Sequence, residues 1–430
     1  MNIFIVTFGS RGDVQPYVAL GQGLQQAGHK VTVCTAVDFE SFIREHGLAY
    51  GYMTGELLEL MDTDAGKAAL EETNGLLGSA KTMLKLVRQT NPLNKEMMHD
   101  SWAAAQEAQP DLVIFHPKAL AATSIADAYR IPAIMAVLQP YYVPTAEWPT
   151  LGTPDLGLGD SYNRLTYKSI ELGYRMYSGM VNEMRQEMMG LDKMNGVGLF
   201  QRPDGSPVPV MHGFSKHVVP RPADWPAHAT ISGYWFLDQQ EAWTPSIELR
   251  AFLEAGPPPV YVGFGSMAGK DPARLTGIVI GALQEAGQRG ILASGWGGLQ
   301  TEALPDSIFA IDQAPHDWLF PRMAAVVHHG GAGTTAAGLR AGRPTIICPF
   351  MGDQPFWGVR VHALGAGPAP IPQKKLTAEN LAAAIRTAVN GPTMRATAET
   401  VGEQIRAEDG VANSVAIVEG VLAGVRPLSK

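Results

Sequence analysis

Short apolar runs of strand length recur along the first third of the chain, and helical-period segments separate them. Strands that alternate with helices predict a parallel sheet whose neighbouring strands are joined by crossover helices. The predicted strands are residues 2–8, 31–36, 112–115 and 133–138.

The first predicted helix follows the first strand, carries Pro16 in its first turn and ends at Gly28. Apolar residues at a helical spacing mark the side that should be buried. That face consists of Tyr17, Leu20, Leu24 and Ala27.

A second alternation of the same kind begins near Pro259. Its first two strands are separated by a strongly amphipathic helix, whose apolar positions recur three and four residues apart. The strands are predicted at residues 260–264, 291–294, 308–312, 325–328 and 345–349. The apolar face of the helix is Leu275, Ile278, Val279, Ala282, Leu283 and Ala286.

The two halves share a plan, because Phe-Gly-Ser closes the first strand of each, at residues 8–10 and 264–266. A chain of 430 residues is also long enough for two domains. Residues 220–259 are rich in Pro, Trp and Gly, which indicates a semi-rigid linker with a hinge. We predict an α/β fold with two Rossmann-like doubly wound domains. The expected segments are domains at 1–235 and 259–410, a linker at 236–258, and a C-terminal helix at 411–430 for which packing against the first domain stays open.

Residues 141–200 contain many Met, Tyr and Leu residues without a clear strand period, and we expect helices and loops there. Two interpretations stay open for this stretch. It is either an apolar packing layer, or an acceptor pocket or membrane-facing lid.

Composition narrows the class of protein. The chain has 33 Lys and Arg against 41 Asp and Glu, a formal net charge of -8, and no run of basic residues. A nucleic-acid partner is therefore not expected. Cys34 and Cys348 are the two cysteines, both in apolar strand-like runs, and they suit inert core residues in a reducing compartment.

The N-terminus and the hydropathy pattern bear on localisation. The sequence starts directly with a strand and lacks the basic region and cleavage site of a signal peptide. No apolar run approaches the ~18 residues of a membrane-spanning helix. We expect a soluble, cytoplasmic protein, and leave contact with a membrane surface open.

The most informative segment is residues 324–358, where a strand is followed by the glycine-rich sequence HHGGAGTT at 328–335. A glycine-rich turn before a helix exposes backbone N–H groups, and the helix dipole adds positive potential there. Such a turn suits a diphosphate, with hydroxyl groups and an imidazole as further donors. The alternatives are tight strand-to-helix packing for the glycines and a satisfied core histidine for His329.

This segment resembles the donor-binding signature of the nucleotide-sugar glycosyltransferases, which include plant UDP-sugar transferases, bacterial macrolide and glycopeptide transferases, and sterol glucosyltransferases. The opening sequence GSRGDVQP at residues 9–16 resembles the sterol and glycopeptide branch in particular. The resemblance covers both halves in order, over nearly the whole chain. It implies the GT-B fold, a first domain that binds the acceptor, a second that binds the donor, and inverting, metal-independent transfer of a hexose, with glucose as the default sugar, from a UDP-sugar to a lipophilic hydroxyl compound.

The resemblance also assigns roles to residues of the second half. Asp353 and Gln354 would hold the sugar hydroxyls, which suits a carboxylate beside an amide, although a helix cap after Gly352 is the alternative. The diphosphate would be held by Ser266, His329, Thr334 and Thr335, with the backbone of Gly331 and Gly333.

The nucleotide base is the least certain part of that correspondence. Gln313 and Ala314 occupy the position of the uracil-binding loop, where Ala314 would offer backbone groups. Plant relatives carry a Trp in place of Gln313 and a ribose-binding Glu in place of Ala337, so the base and ribose contacts must differ. Trp296 is a candidate for the missing aromatic surface or, equally, a packing residue.

A base is needed because the acceptor hydroxyl has a pKa far above 7. Asp13 follows the first strand, at the carboxyl edge where open α/β sheets bind ligands. By resemblance it occupies the position of the catalytic group, so we predict Asp13 as the base, with a helix N-cap as the alternative. His116, after the strand at 112–115, is a candidate partner of the base. The turn around Asp13 adds Ser10, Arg11 and Gly12, and Arg11 either orients Asp13 or phosphate or is a solvated loop charge.

We expect no cofactor and no metal. The triplet Asp62-Thr63-Asp64 matches the D-x-D pattern of metal-dependent glycosyltransferases of a different fold. It follows a polar helical stretch rather than a buried strand, which argues against a metal site. The helix N-terminus and His329 would then offset the charge on the leaving diphosphate.

Four other functions stay open at this point. They are transfer to a polyprenyl-linked precursor, epimerisation of the sugar, non-catalytic binding of a nucleotide sugar, and nicotinamide-dependent oxidoreduction. The last needs G-x-G-x-x-G after the first strand, which the turn at residues 9–12 does not provide. Acceptor identity, sugar and oligomeric state are not determined by the sequence.

Overall fold

The computed structural model describes residues 1–62, 79–196, 198–202, 204–239, 243–265, 272–294 and 304–425. Contacts divide the chain into two compact units. The first comprises Met1–Lys216, Arg221–Leu237 and Asp409–Lys430, and the second His217–Pro220 and Asp238–Glu408.

The first unit is built on a sheet in which seven strands of the described chain run parallel, in the order β3-β2-β1-β4-β5-β6-β7. The central strands are buried on both faces, which explains their continuous apolar runs. The strands are β1 Asn2–Val6, β2 Lys30–Ala36, β3 Ala49–Met53, β4 Leu112–Phe115, β5 Ala133–Val137, β6 Val210–His212 and β7 Ala229–Ile231.

The chain order reverses beside β1, which pairs with β2 on one side and β4 on the other. Such a switch point leaves a crevice at the carboxyl ends of the two strands. The helices of this part of the chain are α1 Arg11–Gln26, α2 Glu40–Glu45, α3 Glu56–Asp62, α4 Ser79–Ala108, α5 Ala122–Tyr129, α6 Asp160–Thr166, α7 Lys168–Arg175 and α8 Ser178–Met188.

Helix α1 begins earlier than its apolar pattern predicts. Ser10 is the N-cap and the helix starts at Arg11, so Pro16 lies in the second turn rather than the first. The proline removes only the hydrogen bond to the carbonyl of Gly12. The polar first turn carries no apolar residue of the predicted face, which is why the pattern missed it.

The second unit contains a sheet of five parallel strands among its described residues, in the order β10-β9-β8-β11-β12. Its switch point lies between β8 and β11. The strands are β8 Val260–Gly263, β9 Gly290–Ala293, β10 Ile308–Ile311, β11 Ala325–His328 and β12 Thr345–Ile347. The helices are α9 Ile247–Glu254, α10 Pro272–Glu285, α11 His316–Leu319, α12 Ala332–Arg340, α13 Gln354–Ala363, α14 Ala378–Asn390 and α15 Pro392–Arg406. Two all-parallel sheets confirm the predicted α/β class.

The final helix, α16 Gly410–Val425, belongs to the first unit. Val418 is fully buried in the core cluster that contains Leu20 of α1. The indole Nε1 of Trp235 donates to the hydroxyl of Ser414 at 2.7 Å. Residues from the two ends of the chain therefore complete one core.

The expected linker at 236–258 is shorter than predicted. Asp238 already belongs to the second unit, and α9 lies within the predicted range. Leu249 of α9 is buried in an apolar cluster with Tyr261 and Phe320, so this segment is part of a core.

None of the helices in the described ranges combines the length and the apolar character that crossing a membrane requires.

Candidate active site

The glycine-rich segment of the second unit forms the turn between β11 and α12, at the switch point of the sheet. Gly331 is the N-cap residue and has no side-chain cap. The backbone N–H groups of the first turn of α12 therefore have no acceptor within the helix. Together with the helix dipole they form an anion-binding end.

The shape of this turn depends on Gly330, which has a φ of +98°. A Cβ atom there would lie 2.7 Å from Cγ2 of Ile347. The N–H of Gly330 donates to Nδ1 of the buried His328 at 2.9 Å. His328 was not assigned a role from the sequence, and the structure shows that it helps to hold the turn.

His329 lies between the turn and the end of β8. A Cβ on Gly331 would be 2.7 Å from its Nε2, and one on Gly265 would be 3.6 Å from its Cε1. Its Nδ1 is buried without a hydrogen-bond partner in the described part of the chain. Burial lowers the pKa of His329 to about 4. The ring is therefore neutral at pH 7 and offers an N–H rather than a positive charge.

The two threonines and the glycine of the first turn of α12 differ in accessibility. Gly333 is exposed, with no atom beyond its own helix within 4 Å of its Cβ position, and Thr334 is half-buried. Thr335 is fully buried, and its hydroxyl donates to the carbonyl of Gly331 at 2.9 Å. The hydroxyl proton of Thr335 is used inside the helix, so the structure does not bring Thr335 to the open side of the turn.

Asp353 and Gln354 begin α13, next to the turn. A Cβ on Gly330 would lie 3.1 Å from the backbone oxygen of Gln354. One carboxylate oxygen of Asp353 accepts from Nε1 of the buried Trp357 at 2.8 Å. The side-chain oxygen of Gln354 accepts from the N–H groups of Phe350 and Met351, at 2.7 and 3.1 Å. These bonds fix both side chains and leave the amide NH₂ of Gln354 as an available donor.

The predicted base-binding loop follows β10, so it lies at the same carboxyl edge. Gln313 is exposed and Ala314 is half-buried. Two other candidates, Ser266 and Trp296, lie outside the described residues, and their predicted roles stay predictions.

In the first unit, Asp13 lies at the third position of α1, beside the switch point. Its Oδ2 accepts from the backbone N–H and the hydroxyl of Ser10, at 2.8 and 3.1 Å. Asp13 is therefore not the N-cap of the alternative interpretation, because Ser10 has that position. Asp13 accepts from Ser10 as the third residue of the helix, through Oδ2 alone. Its Oδ1 faces Nε2 of His116, which follows β4, at 3.8 Å.

Lys118, which was not among the predicted site residues, forms an ion pair with Asp13. Its Nζ lies 3.7 Å from Oδ2. Its backbone N–H donates to Nδ1 of His116 at 3.2 Å. The proton of a neutral His116 is then on Nε2, the atom that faces Asp13. The signal available in the sequence was a lysine two residues after His116.

The electrostatics of this group favour an ionised carboxylate. Burial acts to raise the pKa of Asp13. The charge of Lys118, the neighbouring His116 and the hydrogen bonds from Ser10 outweigh burial, and the pKa is lowered from 3.8. Burial and the neighbouring Lys118 lower the pKa of His116 to about 3. His116 is therefore neutral at pH 7, and Lys118 supplies the positive charge beside Asp13.

The other residues of the turn around Asp13 differ in their contacts. Gly9 has a φ of +142°, and a Cβ there would lie 2.2 Å from Oδ2 of Asp13, so only glycine fits. Gly12 is exposed. Arg11 lies over the ring of Phe42, 5.0 Å from its centre, and its Nε donates to Gln15 at 3.0 Å. Arg11 thus packs against its surroundings and does not orient Asp13.

A small pocket in the first unit lies beside this group. Its walls include Phe8 after β1, Met53 at the end of β3, and Met97 and Met98 on α4. Lys118 is the single charged side chain that lines it in the described part of the chain. Lys118 is the residue that this pocket shares with the Asp13 group. One of our two interpretations placed an acceptor pocket in residues 141–200, but none of the described residues that line this pocket belongs to that stretch.

Over the described ranges, no three His, Cys, Asp or Glu side chains come together as a metal site. Asp62 ends α3, whereas Thr63 and Asp64 of the D-x-D triplet lie outside the described residues.

Two family models match the chain. The model described as glycosyltransferase family 28 N-terminal domain matches residues 3–146. The model described as erythromycin biosynthesis protein CIII-like, C-terminal domain, matches residues 293–419. The two matches include Asp13 and the turn at His329, respectively.

Curated relatives extend the similarity to almost the whole chain. A sterol 3-beta-glucosyltransferase of Arabidopsis thaliana is 38% identical over 431 residues, covering 96% of this chain and 64% of the relative. A sterol 3-beta-glucosyltransferase of Emericella nidulans is 39% identical over 428 residues, covering 96% of this chain and 29% of the relative. The chain thus spans just under two thirds of the plant relative and less than a third of the fungal one.

Solved structures are similar over nearly their full length. The glycotransferase of kitacinnamycin has a TM-score of 0.70 at 19% identity, with 98% of each chain covered. The glycosyltransferase VinC, solved in complex with dTDP, has a TM-score of 0.67 at 19% identity, with 99% of this chain and 100% of the other covered. These similarities confirm the predicted two-domain fold.

Proposed function

The chain belongs to the GT-B nucleotide-sugar glycosyltransferase superfamily, in the branch of the sterol glucosyltransferases, and from this premise we propose that it transfers a hexose to a hydroxyl group of a lipophilic acceptor. The donor would be a UDP-sugar, with glucose as the sugar, and the acceptor a sterol, terpenoid, polyketide or related natural product. Transfer would invert the anomeric centre without a metal ion. The observation that carries the proposal is the uncapped turn at Gly331, which suits a diphosphate.

The donor half of the proposal is supported by the groups that surround this turn. The free N–H groups of α12, the neutral ring of His329 and the hydroxyl of Thr334 are hydrogen-bond donors for an anion. Asp353 and Gln354 lie at the N-terminus of the neighbouring helix α13. The carboxylate of Asp353 and the NH₂ group of Gln354 suit sugar hydroxyls. In the absence of a metal, these preorganised donors would stabilise the charge that develops on the leaving diphosphate.

The acceptor half rests on Asp13. Its Oδ1 accepts no hydrogen bond from the described residues, whereas Oδ2 is held by Ser10. A carboxylate held in one orientation can remove the acceptor proton as the oxygen attacks C1 of the sugar. Attack from the face opposite the leaving diphosphate gives inversion. The apolar pocket beside Lys118 would hold the hydrocarbon next to the reacting hydroxyl.

Product analysis tests the proposal directly. The protein would be incubated with UDP- and dTDP-sugars and a panel of sterols, terpenoids and polyketides, with and without EDTA. We expect a product heavier than the acceptor by one hexose, with the anomeric configuration opposite to that of the donor, and no loss with EDTA. A changed free sugar without acceptor would indicate an epimerase instead, and binding without any product would indicate a non-catalytic binder.

Transfer should show no titration between about pH 5 and pH 8. Despite burial, Lys118 and the other neighbours lower the pKa of Asp13 from 3.8, so the carboxylate is already deprotonated in this range. His116 and His329 have pKa values of about 3 and about 4 because of burial, and both stay neutral. The base is lost only as the pH falls through the pKa of Asp13, which is lowered from 3.8. Log kcat/KM against pH measures this, and an acid limb centred near pH 6 would contradict it.

Gly333→Val should weaken donor binding by about tenfold or more, because a branched side chain would stand where an anion approaches the N–H groups. The position is exposed and has no neighbour within 4 Å, so the fold should tolerate the change. Calorimetric titration with UDP measures the effect. Gly277→Val in α10 is the matched control, because its Cβ position is equally open, and it should leave the affinity unchanged.

A further inference from the structure

The ammonium group of Lys118 has hydrogen-bonding capacity that the protein does not use. Its Nζ pairs with Oδ2 of Asp13 at 3.7 Å, which is longer than a hydrogen bond. Among the described residues it has no closer partner, and the side chain is 47% exposed. An ammonium group carries three donors, so at least two remain for another molecule.

The two oxygens of Asp13 have unequal surroundings. Oδ2 accepts two hydrogen bonds from Ser10. Oδ1 accepts none from the described residues, and Nε2 of His116 lies 3.8 Å from it. One carboxylate therefore has an oxygen available as an acceptor, Oδ1, and has the unfilled donors of Lys118 within 3.7 Å of its other oxygen.

A hydroxyl group matches this pair, because it both donates one proton and accepts at its lone pairs. A hydroxyl whose proton points to Oδ1 of Asp13 has a lone pair free for Nζ of Lys118. The position of Lys118 also fits a lipophilic alcohol. Among the described residues that line the pocket, Lys118 is charged and the others are apolar or neutral. The hydrocarbon part of a lipophilic alcohol would then lie against Met97 and Met98.

We propose that Lys118 is a catalytic residue that binds the acceptor oxygen directly, donating a hydrogen bond to it while Oδ1 of Asp13 takes its proton. This inference rests on the proposed function and adds a specific contact to it. The acceptor O–H bond breaks and its proton passes to Asp13, while the oxygen forms a bond to C1 of the sugar. The bond from C1 to the diphosphate breaks, and its electron pair leaves with the nucleotide. Lys118 stays protonated and stabilises the negative charge that grows on the oxygen.

The contact makes a prediction that does not depend on turnover. A ketone in place of the hydroxyl still accepts from Lys118 but has no proton for Asp13, and an alkane does neither. Cholestanol, cholestanone and cholestane share one carbon skeleton and differ at this oxygen. We expect the parent protein to bind cholestanol and cholestanone about tenfold more tightly than cholestane, since a charged donor strengthens a hydrogen bond.

Lys118→Met should remove the preference for cholestanone over cholestane and lower kcat for cholestanol by about tenfold. Lys118→Arg keeps a charged donor and should restore most of the preference. Lys30→Met is the matched control, because Lys30 is exposed at the start of β2, at the opposite edge of the sheet, and should change nothing. Thermal melting and UDP binding of each variant show that the fold and the donor site are intact.

Three results would overturn the inference. If Lys118→Met keeps the preference for cholestanone while still transferring sugar to cholestanol, Lys118 does not touch the acceptor oxygen, and the proposed function stands. If kcat is unchanged or rises in Lys118→Met, the ammonium only adjusts the charge of Asp13. If the parent neither binds nor glycosylates cholestanol, the sterol acceptor of the proposed function fails, and this contact fails with it.

Discussion

Asp13→Asn should lower kcat by about three orders of magnitude, because the amide cannot take the acceptor proton. The amide oxygen can still accept from the N–H of Ser10, so the cap of α1 is kept. The free energy of unfolding should therefore change little. Binding of the nucleotide sugar should also stay close to that of the parent, since the donor groups of the second unit are not altered. Turnover by product mass and donor binding by calorimetry measure the two effects separately.

A matched carboxylate on the same sheet provides the control. Asp111 lies before β4, and its Oδ2 accepts from the backbone N–H of Asn2 at 2.7 Å. Asp111→Asn makes the same chemical change at the opposite edge, and should leave kcat unchanged. Turnover of Asp13→Asn within about tenfold of the parent would show that another group acts as the base.

The sequence was sufficient for the central strands of both sheets. Residues 112–115 and 325–328 were predicted with the bounds that β4 and β11 have, because strands buried on both faces are continuous apolar runs. Their order along the chain, with helices between, was enough for the α/β class. Three strands of the first sheet were missed for a physical reason: β3 has Tyr52 exposed, and β6 and β7 have three residues each.

Segments whose fate depends on distant contacts were harder to predict. The range 236–258 has the composition of a linker, yet Leu249 is buried in a cluster with residues that are distant in the sequence, such as Leu319 and Val326. The start of α1 was misplaced because its first turn is polar. In both cases the local pattern lacked the information that tertiary packing provides.

Some features of the candidate site also follow from the local sequence, whereas others depend on tertiary packing. The turn at Gly331 and the position of Asp13 follow from strand ends and glycine spacing, which are local. Side-chain direction is not, and Thr335 illustrates this, since it is adjacent to Thr334 but donates its hydroxyl inside the helix. Lys118 was missed because only the folded loop brings its ammonium group to Asp13.

His329→Ala should weaken binding of the UDP-sugar by about 10- to 100-fold, the loss expected for a hydrogen bond to a charged group. The buried Nδ1 lacks a partner among the described residues, and the ring stands against Gly331 at the end of the free N–H groups. With a pKa of about 4, the ring would act as a neutral donor at pH 7, so the effect should be the same at pH 6 and about pH 8. Calorimetric titration with UDP and with the UDP-sugar measures it.

The comparison of variants separates a diphosphate contact from loss of packing. His329→Gln keeps an N–H donor and should recover part of the affinity, whereas a purely structural role would make it no better than alanine. His362→Ala is the control, because His362 is exposed on α13 of the same unit, and it should bind UDP like the parent. Because uridine lacks the diphosphate, its weak binding should not respond to His329→Ala. An equal loss for uridine and UDP would mean that His329 does not contact the diphosphate.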